Sequence, residues 1–310
     1  MALVRLRAPG PLGWPRPVVT LGNFDGVHRG HQALVAKIVE EARVRGGTPV
    51  VLTFDPHPAR VLSPDRAPRA LMTVEQKAEV LTSLGVERVV ALPFTLELSR
   101  KSPEEFAAIV LRDTVGAGLV AVGPDFRFGR ERTGGLETLK RLGPRLGFAI
   151  ELVPGVLHAG APISSTRIRD CLAAGDVGEA AALLGRRFFV DGHVVGGEGR
   201  GRSLGVPTAN LDVVNEQLPA RGVYACWCRA APDGGAIRGV VNIGTRPTFG
   251  EGQSTVEAHL LDFEGDLYGR SLRVEFAARL REERKFPDAS ALARQIGQDI
   301  AAARRVLEKP

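Results

Sequence analysis

Residues 21–31 read LGNFDGVHRGH, at the point where a short β-branched run, 17–22, gives way to a segment of helical periodicity, 30–45. An open α/β sheet binds phosphates at such a junction, because the free amide groups of a helix N-terminus lie just beyond the end of a strand. Glycines at every fourth position of the stretch permit tight turning and a close approach of the backbone to a ligand. The stretch therefore predicts the phosphate-binding turn of a Rossmann-like domain.

The same alternation of strand and helix continues along the first part of the chain. Helices are predicted at 73–84, 102–115 and 135–146, between apolar strands at 49–54, 86–92, 118–123 and 148–153. Continuous apolar strands separated by helices are typical of a parallel sheet that is covered on both faces. We predict a doubly wound α/β domain over residues 1–185.

The pattern changes in the second part of the chain, which alternates short β-runs with Gly, Pro and Asn turns. Closely spaced strands without intervening helices favour a small antiparallel β-barrel. A terminal helix over 288–307 follows, with Ala293, Ile296, Ile300 and Leu307 as its predicted buried stripe. We assign residues 186–310 to this second domain.

Composition limits the class of protein. Of the 310 residues, 44% are hydrophobic and 25% are charged, as in an ordinary globular protein. Lys and Arg outnumber Asp and Glu by 41 to 35, and a mild positive balance suits an enzyme that handles nucleotides. We expect neither a nucleic-acid nor a membrane partner, because basic runs with interleaved aromatics, long apolar segments and a signal-peptide pattern are all lacking. The three cysteines lack the spacing of a metal site or a disulfide framework, which fits a cytoplasmic protein. We also expect a monomer or a weak homo-oligomer.

Two histidines of the opening stretch are candidate catalytic residues. His28 and His31 are three apart, so a helical start places both imidazoles on one face, where they can stabilise charge on a phosphorus centre. The alternatives are a metal site that includes Asp25 and a helix cap without chemistry. Further along, residues 163–169 read ISSTRIR before a helical segment. They predict either a second anion cradle or a plain helix cap.

The second domain contains two candidate segments of its own. Residues 196–211, GGEGRGRSLGVPTANL, are glycine-rich and basic but do not match the Walker pattern, and such loops are often ordinary hairpin connections. In residues 255–263, TVEAHLLDF, strand periodicity places Glu257 and His259 on the face opposite Val256 and Ala258. Glu257 is therefore either a functional carboxylate or a solvated residue on an exposed sheet face.

Four motifs of the first domain resemble one family: GNFDGVHRGH, TFDPHP at 53–58, VGPDFRFG at 122–129, and ISSTRIR. Together they look like the adenylyltransferase module of prokaryotic bifunctional riboflavin kinase/FAD synthetases. The resemblance implies transfer of AMP from ATP to FMN. It implies that the ATP phosphates meet His28, His31, Gly22, Asn23, Phe24, Gly30, Ser165, Thr166 and Arg167. It also implies that the flavin is surrounded by Phe54, Pro56, Pro58, Asp125 and Phe128.

The second domain is similar to the riboflavin kinase module of the same family, through PTAN at 207–210, NIGTRPTF at 242–249, Glu257, LYG at 267–269 and REERKF at 281–286. The resemblance implies that Thr208 and Asn210 ligate Mg²⁺ and that Arg284 helps to hold the flavin. It assigns the ATP phosphates to Gly199, Arg200 and Gly205, and makes Glu257 the base that deprotonates the ribityl 5′-hydroxyl. A base suits an alcohol nucleophile, whereas the phosphate of FMN is already ionised at neutral pH.

Two other functions compete with this interpretation. One is an adenylyltransferase for a different small substrate, with the barrel as a regulatory module, although such a barrel does not need Glu257 or the PTAN segment. The other is an RNA-binding or translation-related protein, since HxGH sites also occur in aminoacyl-tRNA synthetases. The chain is short for that class and has no recognisable anticodon-reading domain.

Overall fold

A computed structural model describes residues 2–7, 10–196, 206–230, 235–245 and 254–308. The chain forms two compact units, residues 1–164 and residues 165–310. The division falls inside the segment that the sequence pattern gives to the first domain. The predicted boundary near residue 185 remains a prediction.

Unit 1 is built on a six-stranded parallel sheet, as predicted. Its strands are β1 (Leu3–Arg5), β2 (Val18–Leu21), β3 (Pro49–Phe54), β4 (Arg88–Leu92), β5 (Leu119–Val122) and β6 (Ala149–Leu152). They are ordered β1-β4-β3-β2-β5-β6. A two-stranded hairpin, β7 (Leu157–His158) and β8 (Ala161–Pro162), follows the sheet. The sequence pattern did not predict β1, an edge strand of three residues.

The helices of unit 1 are α1 (Arg29–Arg45), α2 (Pro58–Leu62), α3 (Val74–Ser83), α4 (Leu96–Ser99), α5 (Pro103–Phe106) and α6 (Leu136–Leu146). Short 3₁₀ turns lie at Pro64–Arg66 and Arg130–Arg132. The helix predicted over 102–115 begins as expected with a capping box of Ser102 and Glu105, but it continues from Ala107 to Val115 as a π-helix. Gly46 ends α1 in the left-handed conformation, with φ of 57°.

The strand order of the sheet reverses at β2. The chain passes from β2 through β3 to β4 on one side of the sheet, and then returns to β5 on the other side of β2. Ligands of open α/β sheets bind at such a reversal, beyond the carboxyl ends of the strands. The segments that follow β2, β3 and β5 carry three of the four motifs of the first domain.

Unit 2 contains a closed antiparallel barrel, again as predicted. Its strands are β9 (Phe189–Val195), β10 (Ala209–Val213), β11 (Gly222–Ala230), β12 (Ile237–Thr245), β13 (Ser254–Leu260) and β14 (Ser271–Arg281), in the order β10-β13-β12-β11-β14-β9. The sequence pattern did not predict β10, which pairs with β9 and closes the barrel. Alternate side chains fill the interior, among them Val190, Tyr224, Val256 and Phe276.

The described residues of unit 2 also form the helices α7 (Ser165–Ala174), α8 (Val177–Leu184) and α9 (Ala289–Val306). The predicted buried stripe of α9 is partly wrong. Ala293 is exposed, while Ala303 and Leu307 pack against Ala225 and Leu261 of the barrel. The buried part of α9 lies toward its C-terminus and also contains a carboxylate, Asp299, which is 5% exposed.

An ion pair ties α9 to the barrel. The guanidinium of Arg281, at the end of β14, donates to the carboxylate of Asp299 through Nε (3.0 and 3.1 Å) and Nη2 (2.9 Å). Gln295 donates a further bond of 2.7 Å to the same carboxylate. A buried carboxylate with several donors is costly to disrupt, because its loss leaves the cation without a partner.

Asp299→Ala is expected to lower the free energy of unfolding of unit 2 by about 3 kcal/mol, because Arg281 then loses its buried counter-ion. Urea unfolding of the full chain measures the change. Asp262→Ala is the matched control, since this exposed carboxylate pairs with Arg304 of the same helix and should matter little. Equal effects of the two substitutions would contradict the importance of the buried pair.

Candidate active sites

The two histidines of the opening stretch meet at the start of α1. His28 is the N-cap residue, and its Nδ1 accepts a bond of 3.4 Å from the backbone N–H of His31. The two imidazole rings stack with centroids 3.6 Å apart and planes inclined by 16°. The expectation that both imidazoles share one face is confirmed.

His31 is held in its neutral form. Burial lowers its pKa well below the ordinary value, and the charges of His28 and Lys77 lower the pKa further. Its Nδ1 atom is buried and, among the residues that the structure describes, has no hydrogen-bond partner. A neutral imidazole carries one N–H, so His31 can offer a single donor to a ligand.

The loop between β2 and α1 has an unusual backbone. Phe24 and Val27 have φ angles of 47° and 43°, a region that residues with a side chain rarely occupy. The Asp25 carboxylate accepts bonds of 3.0 and 3.2 Å from the backbone N–H of Leu71. A Cβ atom added to Gly30 would lie 3.2 Å from the ring of His28. The loop is therefore fixed by neighbouring elements, and position 30 leaves room for the imidazole.

The other predicted phosphate residues of this loop differ in accessibility. Gly22 and Asn23 are partly exposed, whereas Phe24 is buried, with its ring centroid 4.8 Å from that of His31. The side-chain amide nitrogen of Asn23 lies 3.0 Å from Nε2 of His57, which caps α2. The sequence motifs did not single out His57 or Lys77. His57 comes three residues after the end of β3, which is the signal that could have identified it. Lys77 lies within α3, and only the packing of that helix brings it to the loop.

The predicted flavin residues follow the two strands that flank β2. Phe54 ends β3 and packs edge-on against Phe94 at 5.4 Å, and the partly or fully exposed Pro58 and Pro56 come next. After β5, Asp125 is exposed, but Phe128 is a core residue that is 6% exposed. Its ring stacks on Phe126 at 5.5 Å. Phe126 is the partly exposed member of this pair, so Phe128 supports it from behind.

The ISSTRIR segment begins α7, which belongs to unit 2. Ser165, Thr166 and Arg167 lie in its first turn, and Arg167 donates a bond of 2.7 Å to Glu179 of α8. Their predicted location opposite the histidines stays a prediction. The structure thus joins His28, His31, Gly22, Asn23, Phe24 and Gly30 within unit 1.

Three polar residues form a row on the outer face of the barrel. Glu257 of β13 stands directly opposite Asn210 of β10 on one side and Asn242 of β12 on the other. Residues that are paired in this way project from the same face with Cβ atoms about 5 Å apart. Val256 and Ala258, the neighbours of Glu257 in sequence, fill the interior and are each 1% exposed. Glu257 is thus a partly exposed carboxylate between two amide side chains.

The PTAN segment is connected to the same strand. Nδ1 of His259 lies 2.8 Å from the carbonyl oxygen of Pro207, and since a carbonyl only accepts, Nδ1 carries the proton. Thr208 and Asn210 are two apart, as is required for side chains that share a face of an extended chain. The predicted phosphate residues Gly199, Arg200 and Gly205 lie outside the described residues, as do 246–249.

Asn242 and Glu283 are candidates that the sequence motifs did not single out. A Cβ atom added to Gly244 would lie 2.6 Å from Oε1 of Glu283 and 3.2 Å from Nδ2 of Asn242. Glu283 therefore lies over β12 beside the row. Asn242 stood in a quoted motif, but only the pairing of β12 with β13 brings it next to Glu257.

Arg284 lines a cavity of about 460 Å³ between the segment after β14 and α9. It donates to Gln295, and its guanidinium lies 5.0 Å from the ring centroid of Phe286. The remaining lining residues are Lys285, Pro287, Ala291, Arg294 and Gln298. The cavity is positively charged and has an aromatic wall.

Family comparisons match the two halves of the chain in order. The family described as FAD synthetase matches residues 13–167, and the one described as riboflavin kinase matches residues 184–307. A bifunctional riboflavin kinase/FMN adenylyltransferase of Pseudomonas fluorescens is 42% identical over 93% of this chain and 92% of its own. This chain belongs to that bifunctional family. The Escherichia coli K12 member is 37% identical over 94% of this chain and 94% of its own length. The Bacillus subtilis member is 36% identical over 94% of this chain and 92% of its own length.

A solved structure has the same fold. It is titled a macrolide-efflux protein from Streptococcus pneumoniae, with a TM-score of 0.88 and 30% identity over 98% of this chain and 99% of that one. In the part of the present chain that the structure describes, each helix is too short or too polar to traverse a bilayer. Within the same residues, His, Cys, Asp and Glu side chains form no group of three suited to a metal ion.

The neutral state of His31 makes the stability of unit 1 depend on pH. The unfolded chain binds a proton at this residue as the pH falls through about 6.5, whereas the folded chain does so only at lower pH. Stability is therefore lost as the pH falls below about 6.5. We expect the wild type to lose about 1–2 kcal/mol more than His31→Asn between about pH 7 and pH 5, by urea unfolding. An equal loss of stability in the wild type and in His31→Asn would contradict the lowered pKa of His31.

Proposed function

We propose that the His28–His31 pair carries out FMN adenylylation and that the row around Glu257 carries out riboflavin phosphorylation. Family membership supports both reactions in this order along the chain. The observation that carries the assignment is the register of the barrel, which sets a carboxylate between two amides on an outer face.

In the adenylylation reaction, a phosphate oxygen of FMN attacks the α-phosphorus of ATP. The new bond gives FAD, and the bond to the departing pyrophosphate breaks. The attacking phosphate is already ionised, so the site needs to position the groups and to stabilise charge. The stacked imidazoles and the amide groups at the start of α1 supply donors for oxygens whose charge rises in the transition state.

The predicted contacts of the adenylylation site remain part of this proposal. We assign Gly22, Asn23, Phe24 and Gly30 to the ATP phosphates, together with Ser165, Thr166 and Arg167. We assign Phe54, Pro56, Pro58 and Asp125 to the flavin, with Phe128 behind Phe126. The exposure of Asp125 and the partial exposure of Phe54 and Phe126 support a surface that can receive a ring.

In the kinase reaction, the ribityl 5′-hydroxyl of riboflavin attacks the γ-phosphorus of ATP, which yields FMN and ADP. An alcohol is a poor nucleophile, so its proton must leave as the bond forms. Glu257 accepts that proton in our proposal. Its partial exposure on the barrel surface leaves the carboxylate accessible to a substrate hydroxyl.

We further propose Mg²⁺ as the cofactor of the kinase, held by Thr208 and Asn210. Mg²⁺ prefers oxygen ligands and retains several waters, and the phosphates of ATP complete its shell. The hydroxyl and amide oxygens fit that preference, and Asn210 stands beside Glu257. Bound Mg²⁺ neutralises phosphate charge. Gly199, Arg200 and Gly205 are assigned to the ATP phosphates, and Arg284 to the flavin through its charged, aromatic cavity.

The cellular setting of the enzyme and its state of association belong to the same proposal. We place it in the cytoplasm as a monomer or a weak homo-oligomer without a nucleic-acid or membrane partner. The free thiols of Cys171, Cys226 and Cys228 support a reducing compartment. Sedimentation of the purified chain with and without RNA tests the expected state of association.

Separate sites predict reciprocal losses of activity. Glu257→Ala should abolish the formation of FMN from riboflavin and leave the conversion of FMN to FAD intact, because the base serves only the alcohol. His31→Ala should do the opposite. Chromatographic time courses with riboflavin or FMN, ATP and Mg²⁺ resolve the two steps.

Glu275→Ala and His158→Ala are the matched controls for this pair, one in each unit and neither among the residues assigned to the proposed sites. Both controls should retain both activities. Loss of both activities in a folded Glu257 or His31 variant would show that independent sites are the wrong description.

His259 is expected to position the PTAN segment. His259→Ala removes the donor to the Pro207 carbonyl, so Thr208 and Asn210 lose their fixed placement. We expect the kinase to need more Mg²⁺ for half-maximal rate and to lose about tenfold in kcat, as is usual when a group that orients metal ligands is removed. FAD formation from FMN should not change. An unaltered Mg²⁺ dependence would rule out this role.

A further inference from the structure

Lys77 is a buried cation beneath the loop between β2 and α1. It lies on α3 and is 7% exposed. Its Nζ donates to the carbonyl oxygen of Asn23 at 2.7 Å and to Oγ1 of Thr53 at 3.1 Å. Removing an ammonium group from water is unfavourable unless it gains partners or has a function. The proposed reaction does not account for this residue.

The bonds of Lys77 fix one point of the strained loop. The carbonyl of Asn23 also accepts a bond of 3.0 Å from Thr53 Oγ1, so α3 and β3 both hold it. The next residue, Phe24, has a positive φ angle, and the loop ends at His28. Strained backbone persists only where the surrounding structure determines it. Lys77 is one of the groups that does so.

The charge of Lys77 is not cancelled by a direct ion pair. In the described part of the chain, its Nζ forms no salt bridge with a carboxylate, although Asp25 and Asp55 are close enough to raise its pKa against the larger, lowering effect of burial. The positive charge also acts on His31. The residue therefore adds positive potential where the proposed site receives phosphates.

We propose that Lys77 is a positioning residue for adenylyl transfer, which holds the Asn23 carbonyl and supplies a buried positive charge beneath the phosphate-binding loop. The inference rests on the proposed assignment of adenylylation to His28 and His31. Lys77 does not contact the reacting atoms. It acts through the loop, whose amide groups and histidines meet the phosphates.

Two substitutions separate the charge from the hydrogen bond. Lys77→Met removes both and should lower kcat for FAD formation from FMN by about 100-fold, the scale of a small misplacement of reacting groups. Lys77→Gln keeps a donor for the Asn23 carbonyl and should show an intermediate loss. In both variants KM for ATP should change less than kcat, because the charge matters most as negative charge builds in the transition state.

Measuring the stability of the Lys77 variants distinguishes a positioning role of this residue from a structural one. Breaking a buried ion pair is destabilising because one charge loses its partner, but within the described residues Lys77 forms no salt bridge, and the Asn23 carbonyl keeps its bond from Thr53 Oγ1. We therefore expect Lys77→Met to stay folded by thermal unfolding while FAD formation falls. The kinase of the same chain should keep its rate, which serves as an internal control. Lys140→Met is the matched variant, since this exposed lysine of unit 1 pairs with Glu137 in a surface ion pair.

Three results would overturn the inference. In the first, both Lys77 variants form FAD at a rate close to that of the wild type. In the second, both variants lose the fold of unit 1, and Lys77 is then a structural residue. An equal loss of FAD formation in Lys140→Met would also overturn the inference. His31→Asn, measured in parallel, tests whether the proposed function of this site is itself wrong. If His31→Asn retains FAD formation, the proposed function is wrong at this site, whatever the Lys77 variants do.

Discussion

The conformation of the loop between β2 and α1 is the constraint on which the first site depends. The chain leaves β2 and must begin α1 after residues 22–28, and it does so with Phe24 and Val27 at positive φ. Such strain is tolerated because Asp25 is fixed by the Leu71 amide, and Asn23 by Thr53 and Lys77. The result is a helix start at which two imidazoles stack. A relaxed loop would not hold them together.

The second site depends on strand register. In an antiparallel barrel, a slip of one residue would send Glu257 into the interior and Val256 to the surface. Burial of Val256 and Ala258 makes that slip unfavourable, so the same packing that closes the barrel also presents the carboxylate. The neighbouring strands then bring Asn210 and Asn242 to either side of it. If Glu257 is the base that we propose, the packing that stabilises the barrel also positions the catalytic group.

The two sites meet different chemical needs. A phosphate nucleophile arrives ionised, and a loop rich in N–H donors with two stacked imidazoles suits a reaction that needs charge stabilisation. An alcohol nucleophile needs a proton acceptor, and a carboxylate beside amide oxygens suits it. Each unit has the element that its reaction needs, since the α/β unit provides a helix N-terminus and the barrel provides a row of side chains across its strands.

The sequence by itself determined the two fold classes and supplied candidate residues for both sites, because strand and helix periodicity and the HxGH and PTAN motifs are local signals. It did not reveal β1 and β10, since short strands gain their stability from their neighbours rather than from their own residues. Only the tertiary structure decided that Lys77 lies beneath the loop, that Asn242 joins Glu257, and that Phe128 is a core residue. These facts depend on contacts between residues far apart in the chain, and a local pattern carries no information about which distant side chain will fill a given space.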